Sequence, residues 1–162
     1  MFEISKALPG DAEEITAIYD ALKGSPGCTW DESYPTLEFV RNDIEGRDSL
    51  YKVTEGEKII AAAYLGEFEE TERPECFDNT AERLGELSRV GVRREYHRKG
   101  VAFGLITHLL REAEKLGFDG VALLVGTENR AAMRLYEKAG FERCGETFLY
   151  DTHWYCYQIK TS

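Results

Sequence analysis

Arg89, Arg93, Arg94, Arg98 and Lys99 place five cations within eleven residues of a chain whose formal net charge is −10. They run into Gly100-Val101-Ala102, where a stripe of Ala102, Leu105, Leu109, Ala113 and Leu116 marks a helix that Gly117 stops. A helix begins with N–H groups that have no intrahelical partner, and with the positive end of its dipole. Beside a cluster of arginines, such a beginning suits a phosphate or pyrophosphate. Gly100 has no Cβ and Ala102 only a methyl, so a ligand could come close to the backbone. A solvated turn with basic decoration would carry the same residues. No Gly-x-x-x-x-Gly-Lys-Ser/Thr and no helix-opening Gly-x-Gly-x-x-Gly occurs, which sets aside the P-loop nucleotidases and the dinucleotide fingerprint.

The second constellation is Asn129-Arg130-Ala131-Ala132-Met133-Arg134-Leu135-Tyr136-Glu137-Lys138-Ala139-Gly140-Phe141. Asn129 can cap a helix that runs through Ala139, with Gly140 past its end. Taken alone, Ala132, Leu135, Tyr136 and Ala139 are the core face of that helix. Other chemistries find little support. Cys28, Cys76, Cys144 and Cys156 contain no Cys-x-x-Cys, so zinc is not expected and the four read as free thiols. His97, His108 and His153 are scattered, and no Gly-x-Ser-x-Gly elbow occurs.

The elements that must position these residues can be read along the chain. Phe2 and Ile4 alternate with polar residues as a first strand. Asp11 and Glu14 open a helix with Ile15, Ile18, Tyr19 and Leu22 on one face, and Gly24 ends it. A second helix turns Leu37, Val40 and Ile44 inward and stops near Gly46. Residues 50–54 and 58–65 flank Glu55-Gly56-Glu57 as a hairpin. A strand follows over 86–92, and the apolar run 121–125 reads as a central strand covered on both faces. Residues 141–160 hold two aromatic-rich strands. This order predicts one domain over residues 1–162, a mixed α/β sheet with helices on its faces.

Composition narrows the function classes. With 43% hydrophobic and 31% charged residues, neither disorder nor a membrane protein fits. The acidic balance argues against nucleic-acid binding through the bulk field. The N-terminus shows no secretory pattern, so the expected setting is the cytoplasm.

Together the two constellations resemble the GNAT superfamily of acyl-CoA-dependent N-acyltransferases. That family's pyrophosphate loop, Gln/Arg-x-x-Gly-x-Gly/Ala, is matched by His97-Arg98-Lys99-Gly100-Val101-Ala102, with His97 where Gln or Arg is usual. Its later helix, Asn-x-x-Ala-x-x-Leu-Tyr-x-Lys-x-Gly-Phe, is matched at Asn129, Ala132, Leu135, Tyr136, Lys138, Gly140 and Phe141. The resemblance implies a mostly antiparallel sheet whose parallel strands, near 86–92 and 121–126, splay at the centre to admit acetyl-CoA as co-substrate. Backbone N–H groups from Arg98 to Ala102 would hold its pyrophosphate. The backbone of Val90 to Val92 would pair with the pantetheine arm, one N–H polarising the thioester carbonyl. Asn129 would bond the pantetheine, and Tyr136 would face the sulfur as proton donor to the departing thiolate.

The acceptor would be a primary amine of a small molecule. A lysine-like ammonium is neutral about once in 10³ to 10⁴ molecules near pH 7, which costs about 4 to 5 kcal/mol. Glu86, where some family members place a catalytic glutamate, is the candidate base; a surface glutamate at a strand end is the other reading. One bulge between Glu86 and Val92 would turn the carboxylate to the other face. Trp30, Asp31 and Tyr34, between the first two helices, offer flat faces and a countercharge to an amine. They could equally pack the loop onto the sheet. Residues 67–85 carry seven acids and two bases, a field able to steer cations or simply a solvated run. A non-catalytic acyl-CoA-binding module is the alternative from another class.

Overall fold

In the computed structural model, residues 1–46, 49–68, 73–77 and 82–161 are described. The chain forms β1 (Phe2–Lys6), α1 (Ala12–Leu22), α2 (Leu37–Glu45), β2 (Ser49–Glu55), β3 (Lys58–Glu67) and β4 (Leu84–Val92). It continues as α3 (Val101–Lys115), β5 (Gly120–Gly126), α4 (Arg130–Lys138), β6 (Glu142–Leu149) and β7 (Thr152–Lys160). The seven strands make one sheet in the order β1-β2-β3-β4-β5-β7-β6. Every neighbouring pair is antiparallel except β4 and β5. Parallel neighbours need a crossover connection, and α3 between β4 and β5 supplies it.

Strand alternation sends side chains to two faces, and each face has its own core. On one, Ile15, Ile18 and Tyr19 of α1 and Val40 of α2 pack on Leu50, Ala62 and Tyr64. On the other, Leu105, Ile106 and Leu109 of α3 and Met133 and Tyr136 of α4 cover Val53, Ala63, Leu87, Val121, Leu123 and Tyr157. The expected mixed sheet with helices on both faces is what the chain adopts.

Two local expectations change. Asp11 stands at the N-terminus of α1 without capping it. Its carboxylate instead accepts from Leu8 N at 2.7 Å and Lys52 Nζ at 2.6 Å. Cys76 and Cys156 are not free thiols but a disulfide across 80 positions, fastening residues 73–77 to β7. Cys28 and Cys144 are free. Among the described residues, no helix is long and apolar enough to cross a membrane.

Candidate active site

The parallel pairing of β4 with β5 covers three positions, Leu84 with Gly120, Gly85 with Val121 and Glu86 with Ala122. Beyond Ala122 the ladder turns away: β5 continues to pair with β7 up to Gly126 opposite Trp154, while β4 stays with β3 up to Val92 opposite Ala61. The strands therefore splay, leaving a slot at the sheet's centre between residues 87–92 and 123–126. Backbone groups along such an open edge can hydrogen-bond an extended ligand as a further strand would.

The slot runs toward the beginning of α3. Gly100 lies in the left-handed region at φ 80°, and a Cβ added there would meet nothing within 4 Å. The first backbone bond of the helix runs from Gly104 N to Gly100 O at 3.0 Å, so the amides of Val101 to Phe103 precede it. His97 does not point at this opening. Its Nε2 sits 2.7 Å from Val92 O, tying the loop to the end of β4. Of the five expected cations, three are engaged elsewhere. Arg89 bonds Asp43 and Tyr34, Arg93 bonds Ile59 O and lies near Glu14, and Arg94 reaches Ser25 Oγ. Arg98 and Lys99 remain beside the opening, Lys99 with its ammonium over the Tyr96 ring.

Tyr136 projects from α4 into the core that lines the slot, edge-on to Phe141 at 5.8 Å. Burial pushes its phenol far above the ordinary tyrosine value, which keeps the proton on the oxygen. Among the described residues only Tyr51 Oη is both sealed from solvent and unpartnered. The Tyr136 hydroxyl, which has no hydrogen-bond partner among those residues, is therefore not completely sealed, although the residue as a whole is buried. Asn129 caps α4 through Oδ1, which accepts from Ala132 N at 3.2 Å. Its amide nitrogen is left as a donor.

Glu86 turns to the other side. The β3–β4 register slips between Ala62 and Tyr64, which face Gly91 and Ser88. One extra residue on β4 makes this a bulge, and Arg89 within it has φ 50°. Below the bulge Leu87 belongs to the α3–α4 core, so Glu86 shares the opposite face with Leu84. Above it Val90 and Val92 return to the α3–α4 side. The carboxylate thus lies across the sheet from the Val90 and Val92 side chains, on the face that α1 and α2 partly cover.

That face also meets the connection between α1 and α2. A Cβ on Gly27 would come within 2.9 Å of Asn129 Cα, and one on Gly126 within 2.8 Å of Thr29 Cγ2. The connection therefore lies against the mouth of the slot. Its three sequence candidates differ in their contacts. Trp30 packs edge-on against Tyr19 at 5.0 Å, and Tyr34 accepts from Arg89 Nη1 at 2.9 Å. Asp31 is exposed, and its carboxylate accepts from Ser33 N and Oγ. Sequence reasoning missed Asp43, whose two oxygens take the Arg89 guanidinium at 2.8 and 3.0 Å. No spacing signal joins the two residues. It also left Trp154 on an unassigned sheet face, whereas it pairs with Gly126, the glycine that Thr29 covers. Of the acidic run, residues 69–72 and 78–81 lie outside the described residues.

Comparison with known proteins decides the family. The acetyltransferase (GNAT) family model matches residues 15–141. The chain belongs to the GNAT acetyltransferase family. It is 36% identical over 64 residues to an uncharacterized N-acetyltransferase, YsnE, of Bacillus subtilis, covering 38% of this chain and 42% of that protein. It is 40% identical over 55 residues to the ribosomal protein bS18-alanine N-acetyltransferase of Escherichia coli, covering 34% of this chain and 37% of the relative. The match thus spans about two fifths of these relatives' lengths. A putative acetyltransferase from Salmonella typhimurium, solved with its cofactor acetyl-CoA, shares the fold at TM-score 0.79 and 19% identity, over 99% of this chain and 94% of that one.

Proposed function

We propose that residues 1–162 form one domain that transfers acetyl from acetyl-CoA directly to a primary amine of a small molecule, within a ternary complex. The observation that carries this reading is the end of β4–β5 pairing at Glu86 and Ala122, directed at the open amides of α3. A pantetheine arm is extended and can bond along the open edge of residues 90–92. A diphosphate suits the amides of Arg98 to Ala102, with Arg98 and Lys99 beside them. Gly100 admits it without a side chain in the way. Acetyl-CoA supplies the activated acyl thioester; the remaining work falls to the chain's own groups.

Those groups divide the proton chemistry by face. Tyr136, held protonated by burial, donates to the departing thiolate from the α4 side. Glu86, on the opposite face, takes the proton of the incoming ammonium, directly or through water. An N–H of the Val90–Val92 edge polarises the carbonyl. The amine enters past the α1–α2 connection, where Asp31 offers a countercharge and Trp154 a flat apolar wall. Trp30 and Tyr34 serve this wall through Tyr19 and Arg89. Direct transfer needs no acylated side chain. The cytoplasmic setting expected from the sequence stays with this reading, and the Cys76–Cys156 bond is the feature that weighs against it.

Thiol release from acetyl-CoA across a panel of polyamines, amino acids, aminoglycosides and peptides tests the proposal. Amine-dependent release with a small-molecule preference is expected. Binding of acetyl-CoA with no release for any amine would favour the non-catalytic acyl-CoA-binding module instead.

A further inference from the structure

Every guanidinium nitrogen of Arg89 donates a hydrogen bond. Its Nε and Nη2 take both oxygens of Asp43 at 2.8 and 3.0 Å, and Nη1 donates to Tyr34 Oη at 2.9 Å and Ser88 Oγ at 3.3 Å. The guanidinium lies between the Phe39 and Tyr64 rings, 4.8 and 4.3 Å from their centroids. Its main chain is fixed as well, because Tyr19 Oη donates to Arg89 O at 2.8 Å. The Arg89 and Asp43 side chains keep only 8% and 10% of their exposure.

Such a buried ion pair is a weak source of stability, since desolvation offsets most of the attraction. What it fixes is a place. Arg89 is the left-handed residue of the bulge, a conformation unfavourable for an arginine unless its surroundings impose it. The bulge decides that Glu86 faces the acceptor side and that the Val90–Val92 edge faces the slot. Asp43 lies on α2 and Tyr34 on the connection leading to it, so both anchors belong to the acceptor wall.

We propose that Arg89 is a positioning residue for acetyl transfer. Clamped to Asp43 and Tyr34, it holds the β4 bulge in register and ties the acceptor wall to the thioester site. The proposal rests on the reading of the slot as an acetyl-CoA site.

The test measures kcat, KM and acetyl-CoA Kd, with thermal unfolding, for Arg89→Lys, Asp43→Asn and the apolar pair Arg89→Met/Asp43→Leu. Lysine keeps the charge without the two-pronged fork, and asparagine keeps the shape without the charge. In both single variants kcat is expected to fall about 10- to 100-fold, the cost of a small misplacement of reacting groups. Acetyl-CoA Kd should rise by less than the fall in kcat, no more than about 5-fold, because the α3 amides are untouched and only the Val90–Val92 edge shifts with the bulge. The apolar pair should unfold near the native temperature while kcat remains low. Native kcat in the folded apolar pair, or in both folded single variants, overturns the clamp; if the pair does not fold, the single variants decide. A wild-type chain without turnover on any amine instead overturns the transferase reading itself. Loss in Arg89→Lys alongside native rates in Glu86→Gln removes only the base and upholds the clamp.

Discussion

Glu86 and Val92 stand on the same strand and face opposite sides of the sheet. Even spacing would put both on one side, and the extra residue at the bulge separates them. The consequence is chemical. In the proposed reaction the backbone near Val92 would serve a thioester in the slot while the carboxylate of Glu86 would meet an amine arriving from the α1–α2 side. Acid and base would then work from different faces, neither needing to move between steps.

Glu86→Gln keeps the shape and removes the proton acceptor. Its kcat is expected to fall about 100-fold with an ammonium acceptor, the usual scale for a general base. Steady-state rates with a saturating amine check this, and an unchanged kcat removes Glu86 from the mechanism.

Tyr136→Phe removes a hydroxyl and little volume. Because burial raises the phenol's pKa, the proton stays on as pH climbs through the ordinary tyrosine value of about 10, so the wild-type rate should show no loss there from this group. The variant's kcat should drop about 100-fold with the acetyl-CoA KM little changed. Normal turnover would show that the sulfur takes its proton elsewhere.

At Gly100 the backbone has φ 80°, so Gly100→Ala should cost about 1 kcal/mol through conformation alone. Open space around the Cβ means that no clash adds to this. The same methyl projects into the opening proposed for the diphosphate, so acetyl-CoA KM should rise at least about 10-fold. Unfolding and kinetics together separate the two effects.

Asp11 tests the electrostatics of the fold. Burial opposes its ionisation, but Lys52 and Leu8 N outweigh that and hold the carboxyl below its usual value. A depressed folded pKa contributes stability that is present above the unfolded value of about 3.9 and is lost as pH falls through the folded one. Asp11→Asn should therefore be less stable than wild type by about 1 kcal/mol at pH 7. The difference should fade as pH falls through the folded value, and denaturant titrations at pH 7 and in acid measure it.

The element order, the two cores and the α3 beginning were legible because periodicity and glycine punctuation are local signals. Val90 and Val92 lie on a strand, and Gly100 and Asn129 at helix beginnings, as the local pattern predicts. The bulge was legible only as a possibility, since one extra residue in a ladder shows itself through its partner strand. Arg89, Arg93 and Arg94 read as part of a basic cluster suited to a phosphate because charge is visible in sequence, while Asp43, Glu14 and Ser25, which engage them, lie far away along the chain. The contact of His97 Nε2 with a backbone carbonyl on β4 is hidden for the same reason. The Cys76–Cys156 bond has no spacing signature at all.

The central claim, that the gap between β4 and β5 holds acetyl-CoA, is tested most directly by following thermal unfolding while acetyl-CoA is titrated. A stabilisation of about 2.7 kcal/mol at 100 times the Kd is expected, together with its marked weakening in Gly100→Ala. No shift at any concentration up to the millimolar range would contradict the account.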